Sequence, residues 1–412
     1  MDATQIGPLC ATRGWTRPRL IHELRRAARE RSVELPGDDS LRRMIREWVS
    51  GRRGLSEFYA DLFTAVFGVV FAPGTADGQA PNGSSGPGVD GVQEELVSRL
   101  NMAAAVDLDL VQLLEAQTHG FRLLDRQLGA RRLLEQIELH LAQIMDLLAY
   151  CVAPGVREPL AGATAEVAAL AGWQALDLGD PHRAWRHHEV AKAVARDSED
   201  AAIVAHVTAQ QGYALMDVGR DEDAVSLMRQ ARTAAGTRVP AVLQSWLWCA
   251  EAEALANIGQ ERAVRTAMDQ ASRLLPQDGA GSELPYVVLD ETHLARWRGN
   301  CLTRLGSTEA IDDLTFALQT LDPTFTRAAA ALHCDLAVAY SMRGEHDAAL
   351  DAAHRAMDLA TRATSVRQRR RLAALLATGT FGATQREHMQ HGHERSGVLD
   401  LSVIDQPRNV RK

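Results

Sequence analysis

Hydrophobic positions recur at three- and four-residue steps along most of the chain, and this period predicts helices almost throughout. The sharpest case is residues 40–48. Leu41, Met44, Ile45 and Trp48 fall at i, i+3, i+4 and i+7, which is one helical face, while Arg42, Arg43 and Arg46 fall opposite with Glu47 beside them. Asp39 or Ser40 is placed to cap this helix, and Gly51 to end it before Arg52 and Arg53. Ahead of it, Leu20, Ile21, Leu24, Ala27 and Ala28 form a stripe on a helix that Thr16 caps. Pro18 falls in its first turn, where a missing N–H costs little. Behind it, residues 56–71 carry Phe58, Leu62, Val66 and Phe67 as a further apolar face.

The pattern stops at residues 72–91, where Gly, Pro, Ser and Ala leave almost no apolar anchor and predict a flexible linker. It resumes as two long amphipathic helices over 92–127 and 129–151. The second has the stripe Leu133, Leu134, Ile137, Leu141, Ile144 and Leu148. Pro154, Gly155 and Pro159 are expected to break the chain, so 92–158 reads as a capping helical pair.

From about residue 163 the pattern repeats. A glycine marks each unit between two helical segments: Gly179, Gly219, Gly259, Gly306 and Gly344. Seven residues before each stands a small residue: Gly172, Gly212, Ala252, Gly299, Ala337. Four or five after stand Ala184, Ala224, Ala263, Ala310 and Ala349, and twelve after stand Ala191, Ala231, Ala271 and Ala356, with Leu318 the exception. Small residues at these offsets let two antiparallel helices pack closely. The array is expected to span 159–378 and to leave a flexible tail over 379–412. Stacked helix pairs form a superhelix whose first helices line a concave face. Six, ten and thirteen residues before each glycine, one stripe brings up Trp173, Tyr213, Trp246, Arg296 and Asn300 among small and polar neighbours. This mixture suits a peptide or protein segment better than a metal or cofactor, and core packing is the plain alternative for each aromatic taken singly.

Ala, Leu, Arg and Glu dominate over β-branched and aromatic residues, which favours an all-α fold. The formal net charge of −8 argues against general nucleic-acid affinity, but the charge is uneven. Residues 1–71 hold twelve Arg and no Lys against nine Asp and Glu, a net of +3 that leaves −11 elsewhere. A basic head on an acidic body confines DNA contact to the head. There Ser40, Arg42, Arg43, Arg46, Arg52 and Arg53 are the candidate DNA-binding residues, since Arg can hold guanine edges and phosphates.

The five cysteines form no CxxC pair and their number is odd, which predicts neither disulfides nor a zinc site and points to a reducing cytoplasm. No signal peptide opens the chain, and no apolar run is long enough for a bilayer span. No P-loop, GxGxxG or HExxH occurs, so neither an enzyme nor a cofactor is expected. His187 and His188 are expected to serve surface or packing, and His388, His391 and His393 lie in the tail. Arg367, Arg369, Arg370 and Arg371 are expected to form the solvated face of a last capping helix.

The stretches RGWTRPRLIHELRRA, DDSLRRMIREWVSGRR and YADLFTAVFG resemble the N-terminus of actinobacterial regulators with an XRE-type (lambda-repressor-like) helix-turn-helix. In that resemblance IREWVSGRR corresponds to the end of the recognition helix and the turn after it, although residues 25–38 make a longer join than a minimal helix-turn-helix. The repeats resemble degenerate tetratricopeptide (TPR) units, with a longer spacing of 38 to 47 residues. The resemblance implies an N-terminal helix-turn-helix, a linker and a TPR-like superhelix. It implies a transcriptional regulator of development or secondary metabolism that binds double-stranded DNA as a homodimer, with a peptide or protein ligand in the repeat groove. The competing class is a TPR-type adaptor that binds a partner protein without specific DNA binding.

Overall fold

The computed structural model describes residues 3–13, 15–29, 33, 35–51, 54–72, 90–276 and 284–377. Among these residues are eighteen α-helices and no strand, which makes the protein all-α. The chain divides into two compact units, a head over Met1–Val89 and a body over Asp90–Lys412.

The head contains α1 (Ile6–Thr12), α2 (Arg17–Arg29), α3 (Asp38–Val49) and α4 (Glu57–Phe67). The expected stripes of α2 and α3 form its core. Leu20, Ile21, Leu24, Ala27, Ala28, Leu41, Ile45 and Trp48 are all buried, and Met44 is half-buried. The Trp48 ring lies 4.6 Å from Tyr59 and 5.5 Å from Phe63.

Two local expectations fail. The first concerns the start of α3, which begins after Gly37 without a side-chain cap, so Asp39 and Ser40 lie inside its first turn. Its start is held instead by Arg25, whose guanidinium donates to Asp38 Oδ1 (3.0 Å) and to the Pro36 carbonyl (2.9 Å). The second concerns α4, which stops at Phe67 because Gly68 turns left-handed at φ +68°. Phe58 is exposed and Phe63 takes the buried place, on the side that meets Trp48. Arg13 donates to the Val66 and Phe67 carbonyls (3.2 and 2.6 Å), which satisfies acceptors that a helix end leaves open. Residues 73–89 of the expected linker lie outside the described residues, and its last positions already belong to the next helix.

The expected capping pair is three helices: α5 (Asp90–Ala104), α6 (Leu108–Leu128) and α7 (Leu134–Tyr150). The split falls where the Asp107 carboxylate accepts from Leu110 N (2.8 Å) and starts a new helix. The expected break falls at 151–153, just before Pro154, while Gly155 and Pro159 lie inside the next helix. Pro154 opens α8 (Pro154–Asp177), at a position whose N–H has no intrahelical partner, and the repeats therefore begin at 154. They continue as α9 (Pro181–Asp197), α10 (Ala201–Asp217), α11 (Asp221–Ala235), α12 (Ala241–Asn257) and α13 (Glu261–Leu274). The last helices are α14 (Glu291–Arg304), α15 (Ala310–Thr320), α16 (Thr326–Met342), α17 (His346–Arg362) and α18 (Val366–Ala377). Each odd helix from α9 to α17 packs on the helix before it, and each even helix from α8 packs on the next even one.

The glycine markers are the turns of these pairs. All five have φ between +68° and +78°, a region that costs a residue with a Cβ. The residue after each donates its N–H to the carbonyl five positions back, as from Asp180 to Ala175 (3.0 Å) and from Glu345 to Tyr340 (3.0 Å), closing the preceding helix. The small residues seven before admit a large side chain from the second helix. A Cβ on Gly172 would lie 2.7 Å from the His188 ring, and one on Gly299 would lie 2.6 Å from Leu314. Ala184, Ala224, Ala310 and Ala349 are fully buried. Ala263 is not, and Val264 takes its place in the core.

The body closes on itself, with α18 packed on α8 and α16 on α6. Arg327 of α16 donates to Asp125 of α6 (2.8 Å) and lies 3.5 Å from Asp177 of α8. Ser365 Oγ donates to Asp177 (2.6 Å), and Arg367 donates to Asp217 (3.1 Å). The arginine run is therefore not a solvated face. Arg367 pairs with Asp217, Arg371 with Asp335, Arg370 donates to the Gly179 carbonyl and Arg369 is buried, because acidic groups and carbonyls of earlier helices meet it. At the same closure Gly129, at φ +74°, meets the turn after α17, and a Cβ there would lie 1.7 Å from the Ala363 carbonyl oxygen.

Backbone here meets backbone, so neither side can give way by rotating a side chain. Gly129→Ala is expected to destabilise the body by at least about 1–3 kcal/mol, the range for overpacking. Thermal melts followed by circular dichroism check this, and an unchanged melting temperature would show that the closure does not hold the body together.

Candidate functional site

Two surfaces have the chemistry to bind something, one on each unit. In the head, burial of Leu41, Ile45 and Trp48 turns the opposite side of α3 outward, and Ser40, Arg42, Arg43 and Arg46 are exposed. Arg52 and Arg53 lie outside the described residues. The result is a short helix held by a tryptophan, with three guanidinium groups on one side.

In the body the even helices from α8 to α18, together with α6 and residues 285–288, surround a cavity of about 290 Å³. No residue of the odd helices α9 to α17 lines it. Trp173, Tyr213, Trp246, Arg296 and Asn300 are all on its wall, so the stripe counted back from the glycines does converge. Tyr213 and Trp246 are also buried members of the core, which makes the two readings of these rings compatible. Asn300 also braces the wall, since its amide donates to Asp335 (2.8 Å) and accepts from Arg304 (2.9 Å).

Residues outside the stripe complete the wall. Trp297 donates from its indole to Glu253 (3.1 Å), and the Tyr286 ring lies 4.5 Å from His206. Trp297 is on the same helix as Arg296 and one position from the counted stripe. Arg122, Arg367 and Arg371 come from helices without a marker glycine, and Arg327 lies at another offset from Gly344.

Seven arginines line the wall. Arg122 pairs with Glu166 (2.7 Å), Arg304 with Glu253 (3.0 Å), Arg327 with Asp125, Arg367 with Asp217 and Arg371 with Asp335. Arg126 is half-buried with its guanidinium 4.3 Å over the Phe325 ring. Arg296 lies 4.7 Å over the Trp297 ring, and among the described residues it meets no carboxylate within ion-pair distance. Burial pulls the Arg296 pKa down, and Glu253 and Tyr213 oppose this. Burial would raise the Glu253 pKa, but Arg304, Arg367, the Trp297 indole and Arg296 outweigh it and keep that carboxyl below its ordinary value. Burial lowers His206 to about 3, and neighbouring Arg122 and His188 add to the effect, so the ring is neutral.

Among the described residues no three His, Cys, Asp or Glu side chains converge as a metal would require, and no helix is long and apolar enough to cross a membrane. His187 contacts Glu138 (2.7 Å) and His188 is fully buried, in accord with packing roles. The tail histidines lie outside the described residues. No protein-family model matches the chain, and no curated protein matches it.

Two predictions follow from this packing. Trp48→Ala is expected to cost the head roughly 3–5 kcal/mol, as for other buried aromatics, and to unfold it while the body stays helical. Two-transition melts of the full chain check this, and retention of the head transition would mean that α3 is not anchored through Trp48.

The second prediction concerns acid. His188 and His206 both have folded pKa values of about 3, chiefly through burial, against an ordinary 6.5. The unfolded chain therefore takes up protons first. Their contribution to stability is whole above pH 6.5 and is lost as pH falls toward 3, by about 1.4 kcal/mol per pH unit for each ring. Burial raises the pKa values of Glu166 and Asp177, which act in the opposite sense. The discriminating measurement is thus a comparison. His206→Phe should lose melting temperature less steeply than the parent between pH 6.5 and 5, and equal slopes would contradict the assignment.

Proposed function

We propose that this protein is a DNA-binding transcriptional regulator. The head acts as an XRE-like helix-turn-helix with α3 as recognition helix, and the body acts as a TPR-like array that holds a ligand. The observation that supports it is the two-sided α3, with Leu41, Ile45 and Trp48 inside and Arg42, Arg43 and Arg46 outside. That division presents guanidinium groups on a rigid helix of a size that enters a major groove. The excess of Arg over Asp and Glu in the head, inside an acidic chain, agrees with it.

The cavity supports the sensing role. Its volume of about 290 Å³ is at the lower end of small-molecule sites and favours a compact ligand over an extended peptide or protein segment. The resemblance of the head and of the repeats to such regulators supports a wider role. The protein acts in the cytoplasm as a homodimer on a two-fold site, in control of development or secondary metabolism.

Selection from random duplex DNA with the full chain tests the proposal. One sequence motif should be enriched. Arg42→Ala or Arg46→Ala should weaken its binding by about 1–3 kcal/mol and relax one base position, while the melts stay those of the parent. No enrichment at low or physiological salt would overturn the reading and favour the adaptor class.

A further inference from the structure

The cavity wall contains buried polar atoms that no group among the described residues satisfies. They are Arg122 Nη1, both ring nitrogens of His206, Gln210 Oε1, Tyr286 Oη, His293 Nε2 and Arg296 Nε. Buried polar groups in folded proteins are nearly all hydrogen-bonded, so this set makes the wall unusually polar. The atoms themselves are covered by the wall, and the group it offers to an occupant is the half-buried Arg296 side chain. The set contains donors and acceptors, and the one full charge within it that lacks an ion pair is Arg296. Glu253 and Asp335 act on it only from beyond ion-pair distance, so an entering anion can give this half-buried guanidinium the direct partner it lacks.

The ion pairs narrow the anchor. Five of the seven wall arginines meet a carboxylate at ion-pair distance, which leaves Arg126 over the Phe325 ring and Arg296 over the Trp297 ring. His206 adds no positive charge because burial keeps it neutral. The remainder of the wall is aromatic. Trp173 and Tyr213 meet edge to face at 5.8 Å, as do Trp246 and Trp297 at 6.4 Å. Such walls offer ring faces and edges to a flat ligand.

We propose that the cavity is a binding site for a small planar organic monoanion, an aromatic carboxylate, with its charge on Arg296 and its ring among the wall aromatics. The proposal rests on the reading of the cavity as the ligand site. A guanidinium offers a carboxylate two parallel hydrogen bonds, which a neutral amide of the same shape cannot match.

Calorimetric titration of the full chain with naphthoate, and with naphthamide as its neutral isostere, tests it. Naphthoate should bind at least tenfold more tightly than naphthamide. Arg296→Met should abolish that preference while the protein still melts as a folded chain, and Arg296→Lys should restore part of it. Equal affinity of the two probes, no binding of naphthoate at millimolar concentration, or a preference that survives Arg296→Met would each overturn the proposal. The comparison of the two probes on the unaltered chain decides the matter even if Arg296→Met does not fold. No DNA is present in these titrations, so a failure of DNA recognition leaves their outcome unchanged, and the two failures are told apart.

Discussion

Arg327 lies between two carboxylates that come from different helices near the start of the body, Asp125 on α6 and Asp177 on α8. Asp125 and Arg327 are 202 residues apart in sequence. Burial raises the Asp177 pKa, and Arg327 and the Ser365 hydroxyl oppose it; Arg327 itself is held charged by the two carboxylates despite its burial. A cluster of this kind gives little net stability over an apolar isostere, but losing one member leaves a buried charge without its partner. Its consequence is geometric. An array of helix pairs can extend without limit, whereas this one has a defined end because α16 and α18 find their counter-charges on α6, α8 and α10. The cavity exists because of that closure. Its wall takes residues from the first and last helices alike, and in an open array the same side chains would line a groove.

Much of the body was legible from period and spacing. A left-handed turn needs a residue without Cβ, so the five glycines identify the turns, and close helix packing needs small residues at fixed offsets from them. These are local requirements, and a single sequence displays local requirements. The same logic located Trp173, Tyr213, Trp246 and Arg296, since residues at constant offset from equivalent turns occupy equivalent positions. In the head, the burial of Leu41, Ile45 and Trp48 followed from the helical period for the same reason.

What the sequence did not display is pairing over long distances. The run Arg367, Arg369, Arg370, Arg371 has the composition of a solvated face, and nothing local distinguishes it from one. Its partners Asp217, Gly179 and Asp335 are 36 to 191 residues away. The turn between α17 and α18 was hidden for a related reason. Ser365 N donates to the Ala360 carbonyl (2.9 Å) as in the other turns, but the left-handed position is occupied by Thr364 at φ +50° in place of glycine. A β-branched residue in that region is strained and is held there by its surroundings. The surroundings are the closure itself, where Ser365 reaches Asp177 and the Ala363 carbonyl meets Gly129.

The closure and the cavity share residues, and that has a thermodynamic consequence. Arg327 lies 5.6 Å over the Trp173 ring, and Arg367 lies 5.8 Å over Trp173 and 6.0 Å over Tyr213. Both arginines hold the last helices to the first, and both rings face the cavity. An occupant in contact with those rings changes the environment of the closing ion pairs. Occupancy and closure are then linked in both directions, so that whatever binds the closed body more tightly also stabilises it as closed, by the same factor. No moving lid is required for such a response. It needs only a body that can close in one register, and a ligand whose contacts include the groups that close it.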